Sequence, residues 1–95
     1  MKSFINNLNQ DALAKLASTL SHTKFTVAII WTGSQYFYTE DESTVEFVTF
    51  DDTYHLRLCS GFVRMTFDLT KAEFIALSAL CAAKTENIRN YAKGE

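Results

Sequence analysis

The chain contains no proline, glycine only at positions 33, 61 and 94, and just two cysteines, Cys59 and Cys81. Without proline, no segment is read as a stiff polyproline linker and no helix is broken by a missing N–H. The scarce glycines mark where the backbone turns tightly rather than a flexible hinge. Two cysteines without C-x-x-C spacing, joined only by His22 and His55, argue against a zinc site and read as reduced core thiols, with a disulfide between them as the alternative. No apolar run exceeds that from Val27 to Trp31, too short to span a bilayer. Residues 1–20 carry Asn6, Asn7, Asn9, Gln10 and Asp11 and so do not form a secretory signal. No membrane partner is expected, and the location is read as cytoplasmic. Finally, no Lys or Arg occurs between Lys24 and Arg57, although six of the eleven acids fall between Glu40 and Asp52.

The composition is 47% hydrophobic and 21% charged, enough apolar material for a packed core, and residues 1–95 read as one domain. The strongest local signal lies near the C-terminal end. Phe62 to Phe67 reads as a strand that turns at Asp68-Leu69 into a helix. Thr70 and Glu73 have the spacing of a capping box, and Leu69 and Phe74 that of a hydrophobic staple. Phe74, Leu77, Leu80, Cys81, Ile88 and Tyr91 recur at helical spacing, which predicts one long helix stopped by Gly94. At the other end Phe4, Ile5, Leu8, Leu13, Leu16, Ala17 and Leu20 predict an amphipathic helix over 3–20, with a break or second cap at Asn9.

Between the helices, β-branched and aromatic residues gather into strands at 25–32, 35–40, 44–50, 53–59 and 62–67. Two-residue loops at Gly33-Ser34, Asp51-Asp52 and Ser60-Gly61 set Trp31 opposite Tyr36, Phe47 opposite Leu56, Leu58 opposite Val63, and His55 opposite Thr66. Glu46 then meets Arg57, and Arg57 also neighbours Arg64. The resulting core face holds Ile29, Trp31, Tyr36, Tyr38, Val45, Phe47, Leu56, Leu58, Val63, Met65 and Phe67. The other face holds Ile30, Phe37, Val48, Phe50, Cys59 and Phe62 among charged residues. The expected fold class is α+β: an N-terminal helix, a five-stranded antiparallel meander and a C-terminal helix, with both helices on one sheet face.

No catalytic motif is present: no G-x-S-x-G, P-loop, G-x-G-x-x-G or H-E-x-x-H. The chain is therefore read as a non-enzymatic interaction module without cofactor or metal. It would be an inhibitor or adaptor of the kind phages encode, docking a basic, nucleic-acid-handling protein. The contact residues expected are the acids Glu40, Asp41, Glu42, Asp51 and Asp52, which steer a basic partner, and the second-face residues Ile30, Phe37, Val48, Phe50, Arg57 and Arg64. An apolar centre with a charged rim is interface anatomy, and self-association through this face is its simplest form. The competing reading is a dimeric single-stranded nucleic-acid binder using the aromatics as stacking platforms. A formal net charge of −2 argues against nucleic acid as the partner, because phosphate neutralisation dominates such affinities.

Overall fold

The structure, a computed structural model, describes residues 10–91 in full and residues 3–7 by their backbone. The element order is β1 (Ser3–Asn7), α1 (Gln10–Ser21), β2 (Phe25–Trp31), β3 (Ser34–Thr39), β4 (Thr44–Phe50), β5 (Thr53–Ser60), β6 (Val63–Leu69), α2 (Lys71–Ala83) and β7 (Ile88–Asn90). Strands β2 to β6 form the antiparallel meander, and both helices pack on one of its faces. Two short strands extend the sheet to the order β1-β6-β5-β4-β3-β2-β7, each paired in parallel with its neighbour.

Both edge strands were expected to be helical. Ser3–Asn7 pairs with β6 from Ser3 opposite Arg64 to Asn7 opposite Asp68, so the N-terminal helix is confined to Gln10–Ser21. Leu8, Asn9 and Gly94, which figured in the expected helix boundaries, lie outside the described residues. Helix α2 ends at Ala83 instead of running to Tyr91. The buried Thr85 folds its hydroxyl back onto the Cys81 carbonyl (2.8 Å), and the chain then turns along β2. There Ala28 donates to the Asn87 carbonyl (2.9 Å) and Tyr91 to the Ile30 carbonyl (2.7 Å). A sheet edge is a row of unpaired donors and acceptors. Pairing with the outer edge of β2 gives those donors and acceptors partners, and Thr85, Glu86 and Asn87 include β-branched and short polar side chains that favour a helix little.

The start of α2 is as the sequence predicts. The Glu73 amide donates to Thr70 Oγ1 (3.1 Å), and the Thr70 amide donates to Glu73 Oε1 (2.8 Å). Both staple residues, Leu69 and Phe74, are buried. The last turn of α1 has no basic residue of its own. Lys84 supplies one from the end of α2, donating from Nζ to the Leu20 and Ser21 carbonyls at 2.8 and 2.6 Å. This satisfies carbonyls that the helix leaves open and places a cation at the negative end of its dipole.

The sheet register explains which side chains reach the core. The β4–β5 pairing is the expected one: Phe47 opposite Leu56, Val45 opposite Leu58, Glu46 opposite Arg57. The β5–β6 turn is Gly61-Phe62 rather than Ser60-Gly61, so Leu58 faces Met65 and Leu56 faces Phe67. The slip is two residues, which leaves each side chain on its expected face. The β2–β3 turn is likewise Thr32-Gly33, at φ 47° and 90°, with Trp31 opposite Ser34 and Ile29 opposite Tyr36.

One assignment is inverted. Phe37 pairs with Val45 on one side and Ala28 on the other, so it shares the face of Val45 and Leu58 and is fully buried. The β2–β3 hairpin therefore presents Ala28, Ile30 and Phe37 to the helices, and Ile29, Trp31, Tyr36 and Tyr38 to the opposite face. A register irregularity between Phe25 and Val27 re-aims Phe25 inward as well. The reason lies in the packing. Phe37 sits between Phe25 (centroids 5.4 Å) and Phe47 (5.8 Å, edge to face), and Phe47 meets Phe74 of α2 in the same way. Ala28 lets the helices approach closely, whereas Tyr36, Tyr38 and Trp31 keep their polar atoms near water.

Candidate functional site

The helices cover one face of the sheet, and no element among the described residues covers the other. Registers place Val27, Ile29, Trp31, Tyr36, Tyr38, Val48 and Phe50 on this open face. Trp31 is 59% exposed and Phe50 69% exposed, and the others are half-buried against their cross-strand neighbours. Of the contact residues expected from the sequence, Val48, Phe50, Arg57 and Arg64 lie here. Phe37 and Ile30 do not: the first is a core residue and the second points toward the helices. Trp31, Tyr36, Tyr38 and Ile29, taken as core in the sequence, replace them. The missed signal was the hydroxyls and indole N–H of these side chains, which an apolar core leaves without partners.

The polar groups on this face are mostly paired with each other. Arg57 Nη2 donates to Glu46 Oε1 (2.9 Å), the expected cross-strand pair. Arg57 Nε is buried and has no protein acceptor among the described residues. Arg57 is flanked by Thr66, and Arg64 lies beside Cys59, so the expected direct opposition of the two arginines does not occur. On β7, Arg89 is exposed and in register with Ile29.

His55 faces Asp68 instead of Thr66. Its Nδ1 lies 2.9 Å from Asp68 Oδ1 and its Nε2 2.9 Å from Thr53 Oγ1. A carboxylate, imidazole and hydroxyl in line resemble a hydrolytic triad in outline. The Thr53 hydroxyl, however, already donates to the Phe50 carbonyl, and neither Thr53 nor His55 is among the residues that line the groove of about 500 Å³ beside α1. A nucleophile needs its proton to be the one the base takes. The chain of bonds instead pins the β4–β5 turn to β6. Among the described residues no three His, Cys, Asp or Glu side chains converge as metal ligands would.

The acids fall into two groups. Glu40, Asp41 and Glu42 lie in the β3–β4 turn, and Asp51 and Asp52 in the β4–β5 turn, at opposite ends of β4. Seven strand residues separate the groups by roughly 20 Å, more than the Debye length of about 8 Å, so they act as two local fields. Backbone geometry accounts for part of the acid content. Asp51 (φ 52°), Asp52 (φ 64°) and Glu42 (φ 69°) are left-handed, a conformation Asp tolerates better than most residues. Hydrogen bonds from the Thr39 and Ser43 side chains, followed by the Ser43 amide, hold the Asp41 carboxyl below its ordinary range, so it stays ionised. All five of these carboxylates are exposed.

Both cysteines are free thiols. Cys81 lies on the buried side of α2, where desolvation pushes its thiol up to about 12 despite the opposing charge of Lys84. Cys59 is half-buried on the open face beside Arg64. No helix of the described residues is long and apolar enough to cross a membrane. Comparison with protein-family models, curated proteins and solved structures finds no match to this chain.

Proposed function

We propose that the protein is a non-enzymatic interaction module whose open sheet face docks a basic protein, in the manner of an inhibitor or adaptor acting on nucleic-acid-handling machinery. The observation that carries this reading is the uncovered face itself, with Trp31 and Phe50 exposed at its margin around Ile29, Tyr36, Tyr38 and Val48. Large apolar side chains exposed on a sheet face that no described element covers are the kind of surface that marks contact sites. Aromatic residues and arginine at its centre are the types that dominate interface energetics. The two acidic turns at opposite ends of β4 supply a rim of one sign, which favours a basic partner and speeds its approach.

The same aromatics favour a second reading, a single-stranded nucleic-acid platform on which bases stack on Trp31, Tyr36, Tyr38 and Phe50. Electrostatics weighs against it. Arg57 is committed to Glu46, which leaves Arg64 and Arg89 to meet phosphates between two acidic turns.

Two measurements test the proposal. Affinity capture from source-cell extract is compared between the natural chain, a Trp31→Ser/Phe50→Ser variant, and a variant with Glu40, Glu42, Asp51 and Asp52 reversed to Lys. One basic protein retained by the first and lost from both variants supports the reading. Retention of the same proteins by all three overturns it. Fluorescence anisotropy with a single-stranded oligonucleotide should show no binding at physiological salt. Micromolar binding that falls steeply with salt would establish the nucleic-acid reading instead.

A further inference from the structure

The helix side of the sheet is also incompletely covered. Val45, Leu58 and Met65 form one cross-strand row facing α1, and at the end of β4, β5 and β6 nearest the β5–β6 turn this row emerges from beneath Leu16 and Leu20. The result is a groove of about 500 Å³, within the size range of sites that hold a ligand or a large side chain. Met65 remains 38% exposed there and Val63 61% exposed. Beside the groove, at the tip of the β5–β6 turn, stands Phe62, which is 94% exposed. A Cβ placed on the preceding Gly61 would meet no atom within 4 Å, so this tip stands clear of the rest of the chain.

The groove edge carries charges of both signs: Lys24 after α1, and Glu40 and Asp41 in the β3–β4 turn. This matters because an isologous interface brings residue i of one chain to residue j of the other, and j to i. A surface bearing an aromatic knob, a hole of matching chemistry and paired opposite charges is complementary to itself. A basic or acidic foreign partner would find one of the two signs repulsive.

We propose that this groove receives Phe62 of a second copy of the chain, in a two-fold dimer where each β5–β6 turn seats against the other's Leu58 and Met65. Lys24 of each chain then faces Glu40 of its partner. The groove opens on the helix side of the sheet and leaves Trp31, Tyr36 and Phe50 free; it shares Glu40 with the acidic rim of the protein-docking reading, so Phe62→Asp, which alters no residue of that reading, separates the two. The small knob-in-groove contact makes the dimer reversible, in the micromolar range typical of interfaces below standard size.

Sedimentation equilibrium over about 5 to 500 µM brackets that range. The weight-average mass should rise from 10.8 kDa toward twice that value. Phe62→Asp should remain monomeric with an unchanged circular-dichroism spectrum, since the substituted side chain is almost fully exposed. Lys24→Glu removes both symmetry-related Lys24–Glu40 pairs and should weaken the dimer about tenfold (about 1.4 kcal/mol for the two together), and adding Glu40→Lys should recover it. A natural chain that is monomeric throughout overturns the proposal. So does dimerisation of Phe62→Asp at the natural affinity, or a charge-swapped variant no stronger than Lys24→Glu alone.

Discussion

Truncating Phe37 and Tyr36, adjacent on β3, should give opposite outcomes. Phe37 is fully buried and holds ring contacts with Phe25 and Phe47. Removing a buried Phe to Ala costs about 3–5 kcal/mol from lost transfer energy and the cavity left behind. Phe37 belongs near the upper end, because two aromatic pairs, each worth about 0.5–1.5 kcal/mol beyond area, are lost together. Its register neighbour Ala28 offers only a methyl group, too small to fill the space. At about 0.05–0.15 kcal/mol per residue, a chain of this length has total stability on the order of 5–14 kcal/mol. Phe37→Ala therefore removes a third or more of it, and at about 4–8 °C per kcal/mol the midpoint falls by about 20 °C or more. Tyr36→Ala, on the open face, should cost about 1 kcal/mol or less, since only partial burial is lost. Urea unfolding followed by circular dichroism measures both, with unchanged m-values as the check that both transitions stay two-state. Equal losses, or a larger loss for Tyr36→Ala, would refute the assignment of faces and restore the inverse one.

Three further outcomes follow from local features. Thr70→Ala and Glu73→Ala should each cost about 1 kcal/mol, and the double variant less than their sum, because each side chain serves the other's cap; additive losses in a double-mutant cycle would show that the two bonds act independently. In native buffer a thiol reagent should titrate Cys59 and leave Cys81 unreacted until denaturant is added. Because burial raises the Cys81 thiol from 9.0 to about 12, its contribution to stability is fully present below pH 9 and declines as pH rises toward 12. Unfolding midpoints measured across that window should fall less in Cys81→Ser, whose hydroxyl does not titrate there; equal falls would locate the alkaline loss elsewhere.

The amino-acid sequence by itself determines the meander, the cap at Thr70, the Glu46–Arg57 pair and the placement of acids in turns, because each follows from contacts a few residues apart or across one short loop. Alternation with period 2 also divides β2 and β3 correctly into two sets of side chains. It does not by itself say which set turns inward, since both sets are rich in apolar side chains and only the polar tips of Trp31, Tyr36 and Tyr38 tell them apart. The tertiary structure decides this: the side that accepts Phe74 and Leu77 of α2 and Leu20 of α1 must offer close approach at Ala28 and an edge for Phe47 at Phe37. The aromatic set with polar tips is left facing outward, and with it the candidate interaction face. Strands β1 and β7 are also decisions of the tertiary structure. Neither Ser3–Asn7 nor Ile88–Asn90 has a strong strand pattern of its own. They become strands because the outer edges of β6 and β2 offer unpaired donors and acceptors to pair with, and that template exists only once the meander has formed.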